Sequence, residues 1–111
     1  MKLADYDKGG VAVLEPKGKI MGGPDATILY EKLHEFIEQG KKKVVIDLGQ
    51  VDWMNSTGLG ILISGLTTLR NSGGELKLAN VTEKIQSLLT ITKLVMVFEA
   101  HDSVDDAVNS F

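Results

Sequence analysis

The sequence predicts a single α/β domain in which about four helices pack on a mixed, mostly parallel sheet of about five strands. Segments with an apolar period of two, or with continuous apolar character, alternate along the chain with segments of helical period. The chain has 111 residues, which suits one hydrophobic core, and it contains no internal repeat and no linker long enough to separate two domains. The predicted order is β-β-α-β-α-β-α-β-α.

The first half of the chain predicts a hairpin, a helix and a central strand. Residues 7–10 form a turn that joins a short N-terminal strand to residues 11–15, so the first strand runs antiparallel to the others. Pro24 stands at a first helical position, and Gly40 ends that helix. Residues 44–48 are a nearly unbroken β-branched run, which predicts a parallel strand covered on both faces.

The second half predicts a helix, a strand, another helix, a last strand and a final helix. Apolar side chains recur at helical spacing in the first of these helices, at Leu59, Leu62, Ile63, Leu66 and Leu69. Residues 72–74 end it before an alternating strand at residues 75–79. Asn80 with Glu83 has the spacing of a capping box for the next helix. Residues 95–98 form the last predicted strand, and Ser103 starts the final helix.

Composition and charge exclude several classes of function. The formal net charge of -3 comes from 12 basic and 15 acidic residues mixed along the chain, and the only basic run is residues 41–43, so nucleic acid is not an expected partner. The absence of cysteine excludes disulfides, thiolate metal sites and a cysteine nucleophile. His34 and His101 stand alone in the sequence, so neither a metal site nor a cofactor is predicted.

Neither an export signal nor a membrane segment is predicted. Residues 1–7 contain acidic side chains and lack the apolar core of an export signal. The uncharged stretch of residues 53–69 contains too many hydroxyl and glycine residues to span a bilayer. Cytoplasmic localisation without membrane insertion is therefore expected.

The most informative segment is residues 51–60, between the carboxyl end of a predicted central strand and the start of a helix. Open α/β sheets usually place their sites at such positions. A simpler alternative is that Asn55 or Ser56 only caps the helix, and that Gly58 and Gly60 only allow the helix to pack closely on the sheet. Neither a third glycine nor a lysine follows these glycines, so the segment has no nucleotide-binding fingerprint.

Residues 55–60, Asn-Ser-Thr-Gly-Leu-Gly, preceded by Trp53 and Met54, resemble the phosphorylation-site segment of the anti-sigma-factor antagonists, which are STAS-domain proteins. The resemblance covers nearly the whole chain, so residues 1–111 are expected to form one STAS domain. The family motif typically reads Asp-Ser-Ser-Gly or Asp-Ser-Thr-Gly followed by Leu-Gly, which places the phosphorylated serine at Ser56. Two positions depart from the family pattern, because Asn55 and Met21 stand where many members carry aspartate.

The resemblance implies a partner switch rather than an enzyme. The unphosphorylated chain would bind an anti-sigma factor that is also a serine kinase, and so release a sigma factor. Phosphorylation on Ser56 by that kinase would switch the chain off, and a serine phosphatase would restore it. The alternative is a STAS regulatory subunit of another assembly, in lipid transport or stress signalling, that is not phosphorylated. Asn55 is the residue that favours this alternative.

The expected docking surface lies on the helix that follows Ser56. Opposite the leucine stripe, four residues recur at helical spacing and are expected to face solvent, namely Gly58, Ile61, Gly65 and Thr68. Together with Met54, Asn55, Ser56 and Thr57 they form the predicted partner-binding set.

Overall fold

The computed structural model describes residues 1–111 and contains six strands and four helices. In chain order they are β1 (Lys2–Lys8), β2 (Val11–Ile20), α1 (Pro24–Glu38), β3 (Lys43–Asp47), β4 (Val51–Met54), α2 (Ser56–Asn71), β5 (Glu75–Ala79), α3 (Glu83–Ile91), β6 (Ala100–His101) and α4 (Val104–Asn109).

The strands form one mixed sheet in the order β1-β2-β3-β5-β6, with β4 paired to β2 outside this path. β1 runs antiparallel to β2, and every other pairing is parallel. The predicted fold class is confirmed. The hairpin is tight because Gly9 and Gly10, between β1 and β2, both have positive φ values, of 59° and 84°, which only glycine adopts at low cost.

Helices cover both faces of the sheet, so β2 and β3 bury consecutive residues. Val44 and Ile46 belong to the larger core, which α1, α2 and α3 cover, while Val45 points to a smaller cluster under α4. This arrangement explains the unbroken β-branched run at β3 and confirms that both of its faces are covered. None of the four helices combines the length and apolar composition needed to cross a bilayer.

The expectation of a strand at residues 95–98 is wrong. These residues form turns after α3, in which Leu94 N–H donates to the Leu89 carbonyl and Val97 N–H donates to the Leu94 carbonyl. Met96 is 90% exposed, whereas Phe98 packs into the larger core. The last strand, β6, is two residues long and follows this segment. Apolar character alone did not distinguish a turn that returns to the core from a strand.

The predicted cap of α3 is also wrong. Thr82, not Asn80, is the N-cap, and its hydroxyl accepts from the N–H of Ile85 at 3.4 Å. Asn80 instead adopts a positive φ of 54°, and its side-chain amide donates to Asp47 Oδ1 at 3.0 Å. Asn80 therefore connects the carboxyl ends of two neighbouring parallel strands, β3 and β5.

A cluster of charged and polar side chains joins β5 to the C-terminal segment. The buried Lys77 ammonium lies 2.7 Å from Glu99 Oε2 and donates to Ser110 Oγ at 2.8 Å. His101 Nε2 lies 2.6 Å from the same Glu99 oxygen, and the Lys77 ammonium lies 4.4 Å from the Phe111 ring centroid. Hydrogen bonds, first from Lys77 and then from His101, lower the pKa of Glu99 from 4.5 to about 2.

This cluster predicts a loss of stability in acid. The unfolded chain takes up a proton on Glu99 near pH 4.5, but the folded chain does so only near pH 2. The stabilising contribution of Glu99 is therefore complete above about pH 5 and is lost as the pH falls towards 2. When unfolding free energies are measured by urea denaturation across this pH range, the unfolding free energy of Glu99→Gln should fall less steeply with decreasing pH than that of the wild type. An unchanged slope would contradict the role of this carboxylate.

Candidate functional site

The fourth strand brings the start of α2 beside the end of β2. After β3, Val51 N–H donates to the Leu48 carbonyl, and the chain re-enters the sheet as β4. Gly18, with a φ of 92°, marks a register shift in β2, beyond which Ile20 pairs with Met54. The sequence prediction treated residues 51–54 as part of a loop, because four residues carry too little periodicity to predict a strand.

Asn55 caps α2, so Ser56 is the first helical residue rather than the cap. Asn55 has extended backbone angles, and its Oδ1 accepts from the N–H of Gly58 at 2.8 Å. Its Nδ2 donates to the Met21 carbonyl at 3.3 Å. An aspartate could accept from Gly58 in the same way, but it has no N–H to donate to Met21. Asn55 therefore joins the helix start to the loop after β2.

Ser56 and Thr57 are exposed in the first turn of α2. Their backbone N–H groups make no hydrogen bond within the protein, as expected for the first residues of a helix. The first turn of α2 contains no acidic side chain. The site therefore presents an accessible serine hydroxyl next to unpaired amides at the positive end of a helix dipole.

Two glycines allow the first turn of α2 to lie close to β2 and its following loop. A Cβ atom on Gly58 would lie 2.0 Å from the Ile20 carbonyl oxygen. A Cβ atom on Gly22 would lie 2.7 Å from Thr57 Cγ2. The first turn of α2 thus packs against the backbone of β2 on one side and against the loop that follows β2 on the other.

The expectation that Gly58, Ile61 and Gly65 face solvent is wrong. All three are buried, and Ile61 is only 5% exposed. The helix packs both on the sheet and on α1, since a Cβ on Gly65 would lie 3.0 Å from Leu33 Cδ1 and 3.8 Å from Leu76 Cδ1. Thr68 is partly buried, and Met54 belongs to the core. The exposed residues of α2 are instead Ser56, Thr57, Ser64, Thr67, Arg70 and Asn71, and Gly60 is partly exposed.

The sequence contained a signal for this wider buried face. The glycines at 58 and 65 stand seven residues apart and flank Ile61 at spacings of three and four, so the three residues share one side of the helix. Small residues in such a row allow a neighbouring helix or strand to approach closely. At Gly58 this approach is made by β2, and at Gly65 by α1, both of the same chain.

Two core truncations in α2 should therefore be similarly damaging. Leu66→Ala and Ile61→Ala each remove a side chain that is at least 95% buried, and each should cost about 2 to 5 kcal/mol of unfolding free energy. Ile91→Ala is the control, because Ile91 is 78% exposed and its truncation should have little effect. Urea denaturation measures all three. A stability of Ile61→Ala equal to that of the control would contradict the packing of this face.

Comparison with known proteins agrees with the fold. The STAS domain family model matches residues 3–107. The anti-sigma-B factor antagonist of Bacillus subtilis is 41% identical over 69 residues, which cover 62% of each protein, so the match spans less than two thirds of that relative. The Thermotoga maritima protein TM1081 has a TM-score of 0.86 at 23% identity, with 97% of this chain and 92% of that chain covered.

The solved structures also include the Bacillus cell-fate determinant SpoIIAA, an anti-sigma factor antagonist. Its unphosphorylated form matches with a TM-score of 0.72 at 15% identity, over 98% of this chain and 96% of that one. At such identities the structural likeness establishes the fold. The family model covers nearly all of the chain, from β1 to α4, and the chain therefore belongs to the STAS domain family.

Proposed function

We propose that this chain is an anti-sigma factor antagonist whose unphosphorylated form binds an anti-sigma factor with serine-kinase activity. Phosphorylation on Ser56 then prevents that binding. The observation that carries the proposal is the exposed Ser56 at the first turn of α2, beside unpaired amides. It is supported by relatives named as anti-sigma-B factor antagonists in Bacillus subtilis and Staphylococcus aureus, and by SpoIIAA, whose structure is known in both unphosphorylated and phosphorylated forms.

The chain contributes the hydroxyl and the kinase contributes the catalysis. Ser56 Oγ attacks the γ-phosphorus of ATP, its proton passes to a base of the kinase, and ADP leaves. A serine phosphatase reverses the modification by hydrolysis. The chain itself is proposed to have no enzymatic activity, no cofactor and no nucleic-acid partner.

The position of Ser56 favours a switch that acts on binding and not on folding. A phosphate at the start of a helix interacts favourably with the helix dipole, and its oxygens can accept from amides that are otherwise unpaired. Because the side chain is exposed, the modification displaces no core contact. The folded domain can therefore carry either form of the serine.

The proposed partner surface is the exposed side of α2 together with the loop before α1. We call it the switch face, and it consists of Met21, Ser56, Thr57, Gly60 and Ser64. Gly60 and Ser64 are small and one helical turn apart, so a partner can approach the helix closely. A phosphate adds a charge of about -1.5 to -2 to this face, which costs both desolvation and steric fit in a closed interface.

Residues of the predicted binding set that are buried support the switch face from beneath. Met54, Gly58, Ile61 and Gly65 position the helix, and Asn55 caps it. Thr68, partly buried, lies near the other end of the helix. These residues are proposed to act on partner binding through the placement of α2.

Mass spectrometry after incubation with the cognate anti-sigma factor kinase and ATP tests this function. The expected product carries one phosphate, on Ser56. Thr57 is the internal control, because it is rotated by about 100° around the helix and its methyl group packs against Gly22. Phosphate on Thr57, or stable kinase binding without phosphorylation, would overturn the Ser56 switch. The second outcome would favour a STAS regulatory subunit of another assembly.

A further inference from the structure

The loop between β2 and α1 is held by a buried carboxylate that neither the family motif nor the switch face includes. Asp25, the second residue of α1, is only 8% exposed. Its Oδ2 accepts from the N–H of Met21 at 3.1 Å, and its Oδ1 lies 3.4 Å from the Met1 α-amino group. A charged acceptor makes a stronger hydrogen bond than a neutral one. Asp25 therefore ties the start of α1 back to the end of β2.

Hydrogen bonds in series extend this contact to the switch face. The N–H of Met21 donates to Asp25, and the Met21 carbonyl accepts from Asn55 Nδ2. Asn55 Oδ1 in turn accepts from the N–H of Gly58 inside the first turn of α2. The N–H and the carbonyl of Met21 are thus both hydrogen-bonded, the N–H to Asp25 of α1 and the carbonyl to Asn55, the cap of α2.

The loop needs such a restraint because of its composition. Gly22 and Gly23 have φ values of 110° and 60°, and glycine has the greatest backbone freedom to lose on ordering. Gly23 is the N-cap of α1, and it has no side chain to form a cap hydrogen bond. Gly22 contacts Thr57, so movement of the loop would change the surface beside Ser56.

We propose that Asp25 is a positioning residue that holds the Met21 loop and the first turn of α2 in the arrangement that the kinase recognises. This inference rests on the proposed function for its effect on phosphorylation, but not for its effect on the loop itself. Without the carboxylate, Met21 loses one of its two restraints and the loop samples other conformations. The kinase must then select the competent arrangement, which raises KM and leaves the phosphoryl-transfer step unchanged.

Two variants interrupt the series at different points. Asp25→Ala removes the acceptor for Met21, whereas Asp25→Asn keeps an acceptor oxygen of the same shape. Asn55→Asp keeps the oxygen that caps Gly58 but removes the N–H that binds the Met21 carbonyl. Asp106→Ala is the matched control, because it removes a first-turn acid from another helix, α4.

Amide hydrogen exchange of the free chain is the first measurement, and it needs no partner. Asp25→Ala should accelerate exchange at Met21 and Gly58 by about tenfold, since a single charge-assisted hydrogen bond is lost. Asn55→Asp should accelerate exchange at Met21 alone. Asp25→Asn, which keeps the acceptor without its charge, should accelerate exchange less than Asp25→Ala does, and Asp106→Ala should match the wild type. Exchange rates at Met21 and Gly58 that are the same in Asp25→Ala as in the wild type would overturn the proposal. If Asp25→Ala does not fold, Asn55→Asp tests the proposal in its place. A Met21 exchange rate in Asn55→Asp equal to that of the wild type would then overturn the proposal.

Steady-state phosphorylation by the kinase that modifies the wild-type chain is the second measurement. Asp25→Ala should raise KM by about tenfold with kcat unchanged, and Asp25→Asn, which keeps a neutral acceptor, should raise KM by less. Equal KM values in wild type and Asp25→Ala would limit Asp25 to a structural role and overturn the proposal. Absence of phosphorylation in the wild type would instead reject the proposed function, and the exchange rates would still decide whether Asp25 holds the loop.

Discussion

Ser56→Asp is expected to weaken binding of the anti-sigma factor by about 100-fold, which corresponds to about 2.7 kcal/mol. The carboxylate places a negative charge at the centre of the switch face, where it loses hydration without gaining a partner. The variant should fold at least as well as the wild type, because an acidic side chain at a helix start is stabilised by about 0.3 to 1 kcal/mol. Isothermal titration with the anti-sigma factor measures the first effect, and urea denaturation measures the second.

Ser56→Ala is the matched control for this result. Asn55, and not Ser56, caps α2, so removal of the hydroxyl should change stability by no more than about 0.5 kcal/mol. The alanine variant should bind the anti-sigma factor as the wild type does and should accept no phosphate. Tight binding by both variants would show that charge at this position does not control the complex.

Gly58→Ala is expected to be among the most damaging substitutions in the chain. The added methyl group would lie 2.0 Å from the Ile20 carbonyl oxygen, which belongs to the backbone of β2 and cannot move without disturbing its pairing with β4. We expect a loss of at least about 3 kcal/mol of unfolding free energy, from overpacking and displacement of the helix start. Denaturation followed by the fluorescence of Trp53, the single tryptophan, measures this loss.

Gly60→Ala, two residues further along the same helix, is expected to raise the stability that Gly58→Ala lowers. A Cβ atom on Gly60 would have no neighbour within 4 Å, and alanine favours a helix over glycine by about 1 kcal/mol. This variant should therefore be more stable than the wild type. If the two substitutions changed stability equally, the close contact between α2 and β2 would be contradicted.

The parts of the fold that sequence predicted well have strong local signals. Pro24 and Gly40 bound α1, Ser103 caps α4, and residues 75–79 alternate as a strand should. Each of these signals acts within a few residues of the element that it specifies. The two-sided burial of β3 also followed from composition alone, because its β-branched run leaves no polar face.

Other parts depended on contacts between distant residues. β4 is short, and it forms because Gly18 lets β2 bend and pair a second time. Ile61 and Gly65 are buried on a side of α2 that was expected to face solvent, and Leu33 of α1 lies against Gly65. The contact of Asp25 with Met21 exists only in the folded loop, and no local pattern in the sequence indicates it. Helical periodicity identifies which residues share a face, but not how many neighbours cover it.

The central claim is that phosphorylation of Ser56 controls binding to an anti-sigma factor kinase. Its most direct test is the dissociation constant of that complex, measured by titration calorimetry with the unphosphorylated chain and with the chain phosphorylated to completion on Ser56. We predict that the phosphorylated form binds at least about 100-fold more weakly while its unfolding transition remains that of a folded domain. Equal dissociation constants for the two forms would contradict the account.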